Sequence, residues 1–292
     1  MRTLDSNTSL RIAVQKSGRL TDKTLNLLEG IGLRFDDYKR SLLVKCRNFD
    51  VEILLIRDDD IPEYVEDGVC DLGFVGGNVT AEDQADVTVL RGLDYGVCRL
   101  SLAAPKNGGI KTAKDFSGKK IATSYPNLTQ AFFDERSIDV EITTLSGAVE
   151  IAPRLEVADA ISDLVSSGNT LKANGLIEIE IIYESETELI QTNKPLSDGK
   201  QKLIEKILQR IEGYQQAERS RYLMMNAPEE AIPEIRKIIP ALKSPTIVPL
   251  ADEGMVAIHT VIPISTFWQV MEKLKEAGAS GIVMLPIDSM IA

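Results

Sequence analysis

Short apolar runs alternate with helical stripes along most of this chain, and their order predicts its architecture. Leu10-Arg-Ile-Ala-Val14 reads as a first strand that ends in the polar turn Gln15-Lys-Ser-Gly-Arg-Leu20. Leu25, Leu27 and Leu28 then mark a helix closing near Gly30 or Gly32. Val51-Glu-Ile-Leu-Leu-Ile56 is a second apolar strand. Arg57 and the acidic start Asp58-Asp-Asp-Ile-Pro62 follow, opening a helix that runs to Gly68. Asp71-Leu-Gly-Phe-Val75 is a buried strand with the exit turn Gly76-Gly77. Strands and helices in this alternation predict an α/β domain with a mainly parallel sheet.

From Val97 the run Val-Cys-Arg-Leu-Ser-Leu-Ala-Ala104 reads as a strand crossing into a second lobe. That lobe holds Lys120-Ile-Ala-Thr-Ser-Tyr125, a helix over 130–135, a strand over 140–145 and a polar loop at 166–170. The strand Ile177-Glu-Ile-Glu-Ile-Ile182 returns toward the first lobe. Two lobes joined by crossing strands make a cleft, with ligands expected at strand C-terminal ends. Residues 198–216 form an amphipathic helix with Leu203, Ile204, Ile207, Leu208 and Ile211 on one face. Beyond it the order is strand 222–226, helix 229–239, strand 246–250, strand 255–262, helix 266–277 and strand 281–285. That is the β-α-β-β-α-β order of a ferredoxin-like domain of about 75 residues. It reads as a dimerisation module or a small-molecule sensor.

A chain of 292 residues with 43% hydrophobic and 26% charged positions has room for two or three cores. Its formal net charge of −11 argues against a nucleic-acid or anionic-membrane surface. Anionic ligands must then be held by a few local cations and backbone donors. No transmembrane run appears and residues 1–9 are polar, so a cytoplasmic address is expected. Cys46, Cys70 and Cys98 lack metal-ligand spacing and read as reduced thiols. The single histidine, His259, sits in an alternating strand and reads as structural, which counts against a histidine-based triad or zinc site.

The segment 156–171 carries the most chemistry. Ser166-Ser-Gly-Asn-Thr170 precedes Leu171-Lys-Ala-Asn174, which favours a helix. A helix N-terminus presents unpaired N–H groups and a positive dipole end, which suits a phosphate. Gly168 permits close approach, and the Ser and Thr hydroxyls add donors. Upstream, Asp159 and Asp163 suit sugar hydroxyls or a bound Mg²⁺. Together these describe a sugar-phosphate pocket. A capped strand–turn–helix that binds nothing is the plainer alternative.

Asp159-Ala-Ile-Ser-Asp-Leu-Val-Ser-Ser-Gly-Asn-Thr-Leu171, with Ala173-Asn-Gly175, resembles the signature of ATP phosphoribosyltransferase, the opening enzyme of histidine biosynthesis. The long form of that family is matched in order by Gln15-Lys-Ser-Gly-Arg-Leu20, Arg57-Asp-Asp-Asp-Ile-Pro62, Asp71-Leu-Gly-Phe-Val-Gly76, Cys98-Arg-Leu100, Ile121-Ala-Thr-Ser-Tyr-Pro126, Lys243-Ser-Pro-Thr246 and Gly278-Ala-Ser-Gly281. One departure is Glu156, where the family usually has Gly.

The resemblance implies a two-lobed, periplasmic-binding-protein-like catalytic region with a C-terminal ferredoxin-like (ACT-like) regulatory domain. Residues 1–97 and 183–216 would form lobe I, 98–182 lobe II and 217–292 the regulatory domain. It implies transfer of the phosphoribosyl group of phosphoribosyl pyrophosphate (PRPP) to N1 of ATP, with Mg²⁺ bridging pyrophosphate oxygens. Positioning and electrostatic stabilisation would carry such a reaction, and adenine N1 needs no general base for attack. Asp159, Asp163, Ser166, Ser167, Gly168, Asn169 and Thr170 would bind PRPP, the two carboxylates on the ribose. Lys16, Arg19, Arg57 and Arg99 would surround phosphates, with Asp71, Gly76, Ser124 and Tyr125 completing the ATP side. L-Histidine would bind Asn226, Leu242, Thr246, Val261 and Gly281, where Asn226 replaces an acidic residue of some relatives. A homo-oligomer, dimeric and hexameric, is also implied. A two-lobed binding protein and a metabolite-binding regulatory subunit are the rival classes, and neither would form product.

Overall fold

The computed structural model describes residues 9–36, 41–239 and 244–290. Chain order starts with β1 (Leu10–Gln15), α1 (Thr21–Gly30), β2 (Leu43–Lys45), β3 (Val51–Ile56), α2 (Ile61–Glu66), β4 (Leu72–Gly76), α3 (Gly77–Asp83) and β5 (Val87–Gly92). The chain then crosses to a second sheet through β6 (Cys98–Pro105), β7 (Lys120–Thr123), α4 (Pro126–Glu135), β8 (Glu141–Thr144), β9 (Ala160–Val165), α5 (Asn169–Ala173) and β10 (Leu176–Ser185). It returns directly with β11 (Thr187–Thr192) and continues into the long α6 (Asp198–Glu218).

The first sheet has the order β2-β3-β1-β4-β11-β5, with β3, β1 and β4 parallel. Its central strand β4 is buried at every position, as expected of a parallel strand covered on both faces. Ala13, Ile61, Val65, Val75 and Ile190 build one of its cores. The second sheet runs β10-β6-β9-β7-β8, with β9, β7 and β8 parallel and β6 antiparallel to both β9 and β10. Leu102, Phe116, Ile121 and Phe133 fill one of its faces, while Ala103, Ala122, Ile161 and Leu171 fill the other. Only Glu186 separates β10 from β11, so the chain changes sheet within one residue. Both sheets belong to one compact unit made of residues 1–26 and 34–200. The chain passes between the two sheets at 93–97 and at 186.

A second compact unit comprises residues 27–33 and 201–292. Within it, Arg210 of α6 donates to the Ile31 carbonyl at 2.8 Å. The tail contains β12 (Ser220–Pro228), α7 (Ile232–Ile238), β13 (Thr246–Pro249), β14 (Met255–Pro263), α8 (Phe267–Glu276) and β15 (Ser280–Pro286). Its antiparallel sheet has the order β13-β14-β12-β15. Strict alternation on β14 sends Val256, Ile258 and Ile262 into a core with Leu223, Phe267 and Leu274. The opposite face is open, and Val283 and Leu285 on β15 are exposed there. His259 pairs its Nδ1 with the Tyr222 hydroxyl at 3.0 Å on that face, consistent with a structural histidine. Among the described residues no helix is long and apolar enough to cross a membrane.

Glu156, the departure from the family glycine, adopts φ 56° and ψ 25°. This left-handed conformation costs a side-chain-bearing residue about 1–2 kcal/mol, whereas glycine enters it freely but loses about 0.5–1 kcal/mol more unfolded-state entropy. Glu156→Gly is therefore expected to stabilise the protein by roughly 0.5–1 kcal/mol. Chemical denaturation would read this as a higher midpoint at unchanged slope. A lower midpoint would mean that the Glu156 side chain contributes more than the strain it causes.

Candidate active-site cleft

Parallel strands deliver their loops to one end of each sheet. In the first sheet these are the turns after β1 (15–20), β3 (57–60) and β4 (76–78). In the second they are the turns after β7 (124–126) and β9 (166–170). A cleft of about 530 Å³ opens among them, lined by Gln15, Arg19 and Gly76 from the first set, by Tyr125 and Ser166 from the second, and by Leu164 of β9. A neighbouring cavity of about 540 Å³ shares Asp94, Val97, Cys98 and Ser166 with it and adds Arg99 and Ser185. A larger cavity, about 720 Å³, lies in the other unit between residues 30–32, α6 and residues 289–290. It holds none of the chemistry-bearing segments, so volume alone does not locate the site.

The polar loop leaves β9 and turns at Gly168, whose φ of 76° and ψ of 4° favour glycine. The helix α5 starts at Asn169, two residues earlier than its sequence suggests, because the left-handed glycine already ends the strand. Its N-cap, Gly168, has no side chain to cap it; the Asn169 N–H donates to Ser167 Oγ at 3.5 Å, and the first-turn N–H groups have no intrahelical partners. Ser166, Ser167, Asn169 and Thr170 are exposed around it.

The two signature carboxylates are separated by their strand. Residues four apart on a β-strand share a face but lie about 13 Å apart, too far to grip one ribose. Asp163 stands near the cleft end of β9. Burial pushes its carboxyl up, Glu150 adds to this, and the Leu164 N–H (2.8 Å) and Arg19 act in the opposite sense. Asp159 precedes β9 at its other end. It is exposed there, donating its N–H to the Lys120 carbonyl at 2.8 Å and accepting the Lys120 N–H on its carboxylate at 2.9 Å. Asp159 thus pins β7 to β9.

Three further expected ligands are committed elsewhere. Asp71 lies before β4, about 17 Å of strand from Gly76. It is buried, accepts the Arg11 N–H at 2.8 Å and forms a buried ion pair with Lys200 at 2.9 Å. The Ser124 hydroxyl donates to the Leu145 carbonyl at 2.6 Å and ties two strand exits together. Arg99 spends its fork on Glu178, Nε to Oε1 at 2.5 Å and Nη2 to Oε2 at 2.6 Å, while Nη1 donates to the Ser166 carbonyl at 3.1 Å. The Arg99 bonds hold the Glu178 carboxyl below its usual range, with Ser101 contributing a further donor at 2.7 Å. Arg99 therefore braces the polar loop through its first carbonyl. Lys16 and Arg57 are exposed at the strand ends, and Arg57 lies 3.6 Å from Asp59.

Several cleft groups went unread in the sequence. Asn78 donates Nδ2–H to the Tyr125 hydroxyl at 3.0 Å. Ser185 fixes that amide's orientation by accepting the Asn78 N–H and donating to Asn78 Oδ1, both at 2.9 Å. Burial pushes the Tyr125 phenol up to about 12, so it keeps its proton and can donate it into the cleft. Lys23 adds a cation one helical turn beyond Arg19. Gly96, at φ 70°, brings the crossing chain against Thr187, whose Oγ1 would sit 2.5 Å from any Cβ there. The Asp94-Tyr-Gly96 turn was the available signal for this element.

In the tail, Asn226, Thr246, Val261 and Gly281 all occur on the sheet with the open face. Asn226 and Gly281 adjoin, since a Cβ on Gly281 would lie 3.6 Å from Asn226 Nδ2. Thr246 stands opposite His259, and Val261 opposite Tyr222. Leu242 and Lys243 lie outside the described residues.

Comparison with known proteins gives consistent findings. The family described as ATP phosphoribosyltransferase matches residues 57–213, and its C-terminal domain matches residues 217–289. An ATP phosphoribosyltransferase of Phocaeicola vulgatus is 46% identical over 282 residues, which is 97% of this chain and 99% of that protein. Among solved structures, the ATP phosphoribosyl transferase (HisG:HisZ) complex from Thermotoga maritima is similar with a TM-score of 0.61 and 30% identity, over 70% of this chain and 98% of that one. Tv2483 bound to L-arginine shares the fold at a TM-score of 0.50 and 16% identity, over 73% of this chain and 87% of that one.

Proposed function

This chain belongs to the ATP phosphoribosyltransferase family, and from that premise we propose how its cleft carries out the first step of histidine biosynthesis. N1 of the adenine of ATP attacks C1 of PRPP, the C1–N1 bond forms, and the C1–O bond to pyrophosphate breaks with the electron pair leaving on oxygen. The observation that supports the assignment is the family signature at the cleft end of β9, where Leu164 and Ser166 line the opening together with Arg19 and the Asp163 carboxyl feels the Arg19 charge.

The 166–170 loop cradles the 5′-phosphate of PRPP with backbone N–H groups and hydroxyls. Asp163 accepts from the ribose hydroxyls, and its charge favours the oxocarbenium character that develops at C1. Arg19 and Lys23, with Lys16 and Arg57 at the rim, bind the polyphosphates. Tyr125, held by Asn78, donates toward the ribose or adenine. No protein base is required, because adenine N1 attacks through its own lone pair. Among the described residues no group of three or more His, Cys, Asp or Glu side chains is disposed to hold a metal. Mg²⁺ entering with the substrate pyrophosphate would supply charge neutralisation to the leaving group. The tail is the regulatory domain, taking L-histidine on its open face, and the protein works as a homo-oligomer.

Mixing the protein with ATP, PRPP and Mg²⁺ is expected to give phosphoribosyl-ATP, whereas a binding protein gives none. In the same assay Gly168→Val is expected to raise the PRPP KM by about tenfold or more. The valine cannot hold the left-handed turn, and each lost charge-assisted bond costs about 1.5–3 kcal/mol. A folded variant with an unaltered PRPP KM would remove the loop from the phosphate site.

A further inference from the structure

Apart from the two chain crossings, side chains also connect the lobes, and one of these connections engages a buried carboxylate. Glu82 lies in the last turn of α3, packed on the first sheet, and is buried. Its carboxylate reaches α4 of the second lobe, where Oε1 accepts the Asn127 N–H at 2.7 Å and Oε2 the Leu128 N–H at 3.0 Å. Asn127 returns the contact by donating Nδ2–H to the Glu82 carbonyl at 2.9 Å.

These two amides are the ones a helix N-cap normally satisfies. Tyr125 occupies the N-cap position of α4 and makes no such bond with its side chain, and Pro126 at the first helical position has no N–H to offer. The first turn of α4 therefore takes its cap from the opposite lobe. The carboxylate also meets the positive end of the helix dipole. One turn earlier on α3, Asn78 holds the Tyr125 hydroxyl. Both bonds converge on the segment 125–128, which carries a cleft-lining phenol.

We propose that Glu82 is a positioning residue that latches α4 to the first lobe and thereby sets Tyr125 and the width of the cleft. Resting on the catalytic reading above, the proposal adds a device for lobe closure. Opening the lobes at this edge uncovers both a carboxylate and two helix-terminal N–H groups. Closure restores all three bonds at once. Lobe closure is thus tied to the completeness of one helix cap, and a cleft with α4 uncapped presents Tyr125 out of register.

Residue-resolved hydrogen exchange on the full-length wild-type chain tests the latch without reference to activity. The Asn127 and Leu128 amides are expected to exchange at least about tenfold more slowly than uncapped first-turn amides, and at least one of the two should lose that protection in Glu82→Gln. The isosteric glutamine keeps one acceptor and turns its NH₂ against the second N–H. Its kcat is expected to fall about tenfold or more through misplacement of Tyr125, with a smaller change in either KM. A purely structural Glu82 would lower the unfolding temperature and leave kcat unchanged. Wild-type amides that exchange freely, or a kcat within twofold of wild type in the folded variant, would overturn the latch. Absence of product from the wild-type protein would instead overturn the catalytic reading, and the exchange measurement would still decide the latch.

Discussion

Asp163→Asn is expected to lower kcat/KM for PRPP about 10- to 100-fold while raising the unfolding temperature of the ligand-free protein at neutral pH. On the proposed role of Asp163, the functional loss follows from removing a charge directed at the ribose and at an oxocarbenium-like C1. A hydrogen bond to a charged group is worth about 1.5–3 kcal/mol, and each 1.4 kcal/mol is tenfold. The gain in stability follows from the same burial. The Asp163 carboxyl is pushed up in the folded state, first by desolvation and then by Glu150. Between the unfolded and folded pKa values the folded state binds more protons, so stability falls as pH rises through that window. The cost is present in full above the folded value and absent below the unfolded value near about 3.9. The advantage of asparagine should therefore be clear at neutral pH and gone in acid. Thermal melts at both pH values, run beside PRPP kinetics, check both halves. Wild-type turnover, or a stability gain that persists unchanged in acid, would assign Asp163 a different role.

Removing the chain beyond Gln216 is expected to abolish inhibition by L-histidine. Inhibition of this kind rests on a coupling of about 1–3 kcal/mol, a 5- to 150-fold effect on affinity, and it requires the ligand to favour one arrangement of the protein over another. The tail carries its own core around Leu223, Ile258, Phe267 and Leu274. A histidine titration at fixed ATP and PRPP reads the effect. Gly281→Val supplies the same test in an intact chain. Gly281 has φ 57° beside Asn226 Nδ2, so valine both strains that backbone and crowds the proposed site. Inhibition that survives in both variants would move the effector into the catalytic cleft and leave the tail as an assembly module.

The tail shows how far periodicity reaches. Its β-α-β-β-α-β order, with alternation on β14, was legible because each element's pattern depends on neighbours two to four residues away. β2, β5 and β11 were harder to read, being short or mixed in polarity; β5, at the sheet edge, buries none of its residues fully. The polar loop was legible for a similar local reason, since Gly168 marks a left-handed turn wherever the chain goes next. Asp159 and Asp163 mark the limit. Their spacing is visible in the sequence, but their separation depends on the strand that carries them.

The sequence by itself determined the succession of elements, the position of the polar loop and, through resemblance to a signature, the family. The first two depend on backbone preference and local periodicity. Only the tertiary structure decided which charged and polar groups remain free to meet a ligand. Asp71 is committed to Lys200, 129 residues away; Arg99 to Glu178, 79 away; Asn78 to Ser185, 107 away; and Glu82 to the amides of Asn127 and Leu128 in the other lobe. A buried polar group must find a partner, and sheet register and lobe packing determine which one stands within 3 Å. Sequence spacing carries no record of that choice.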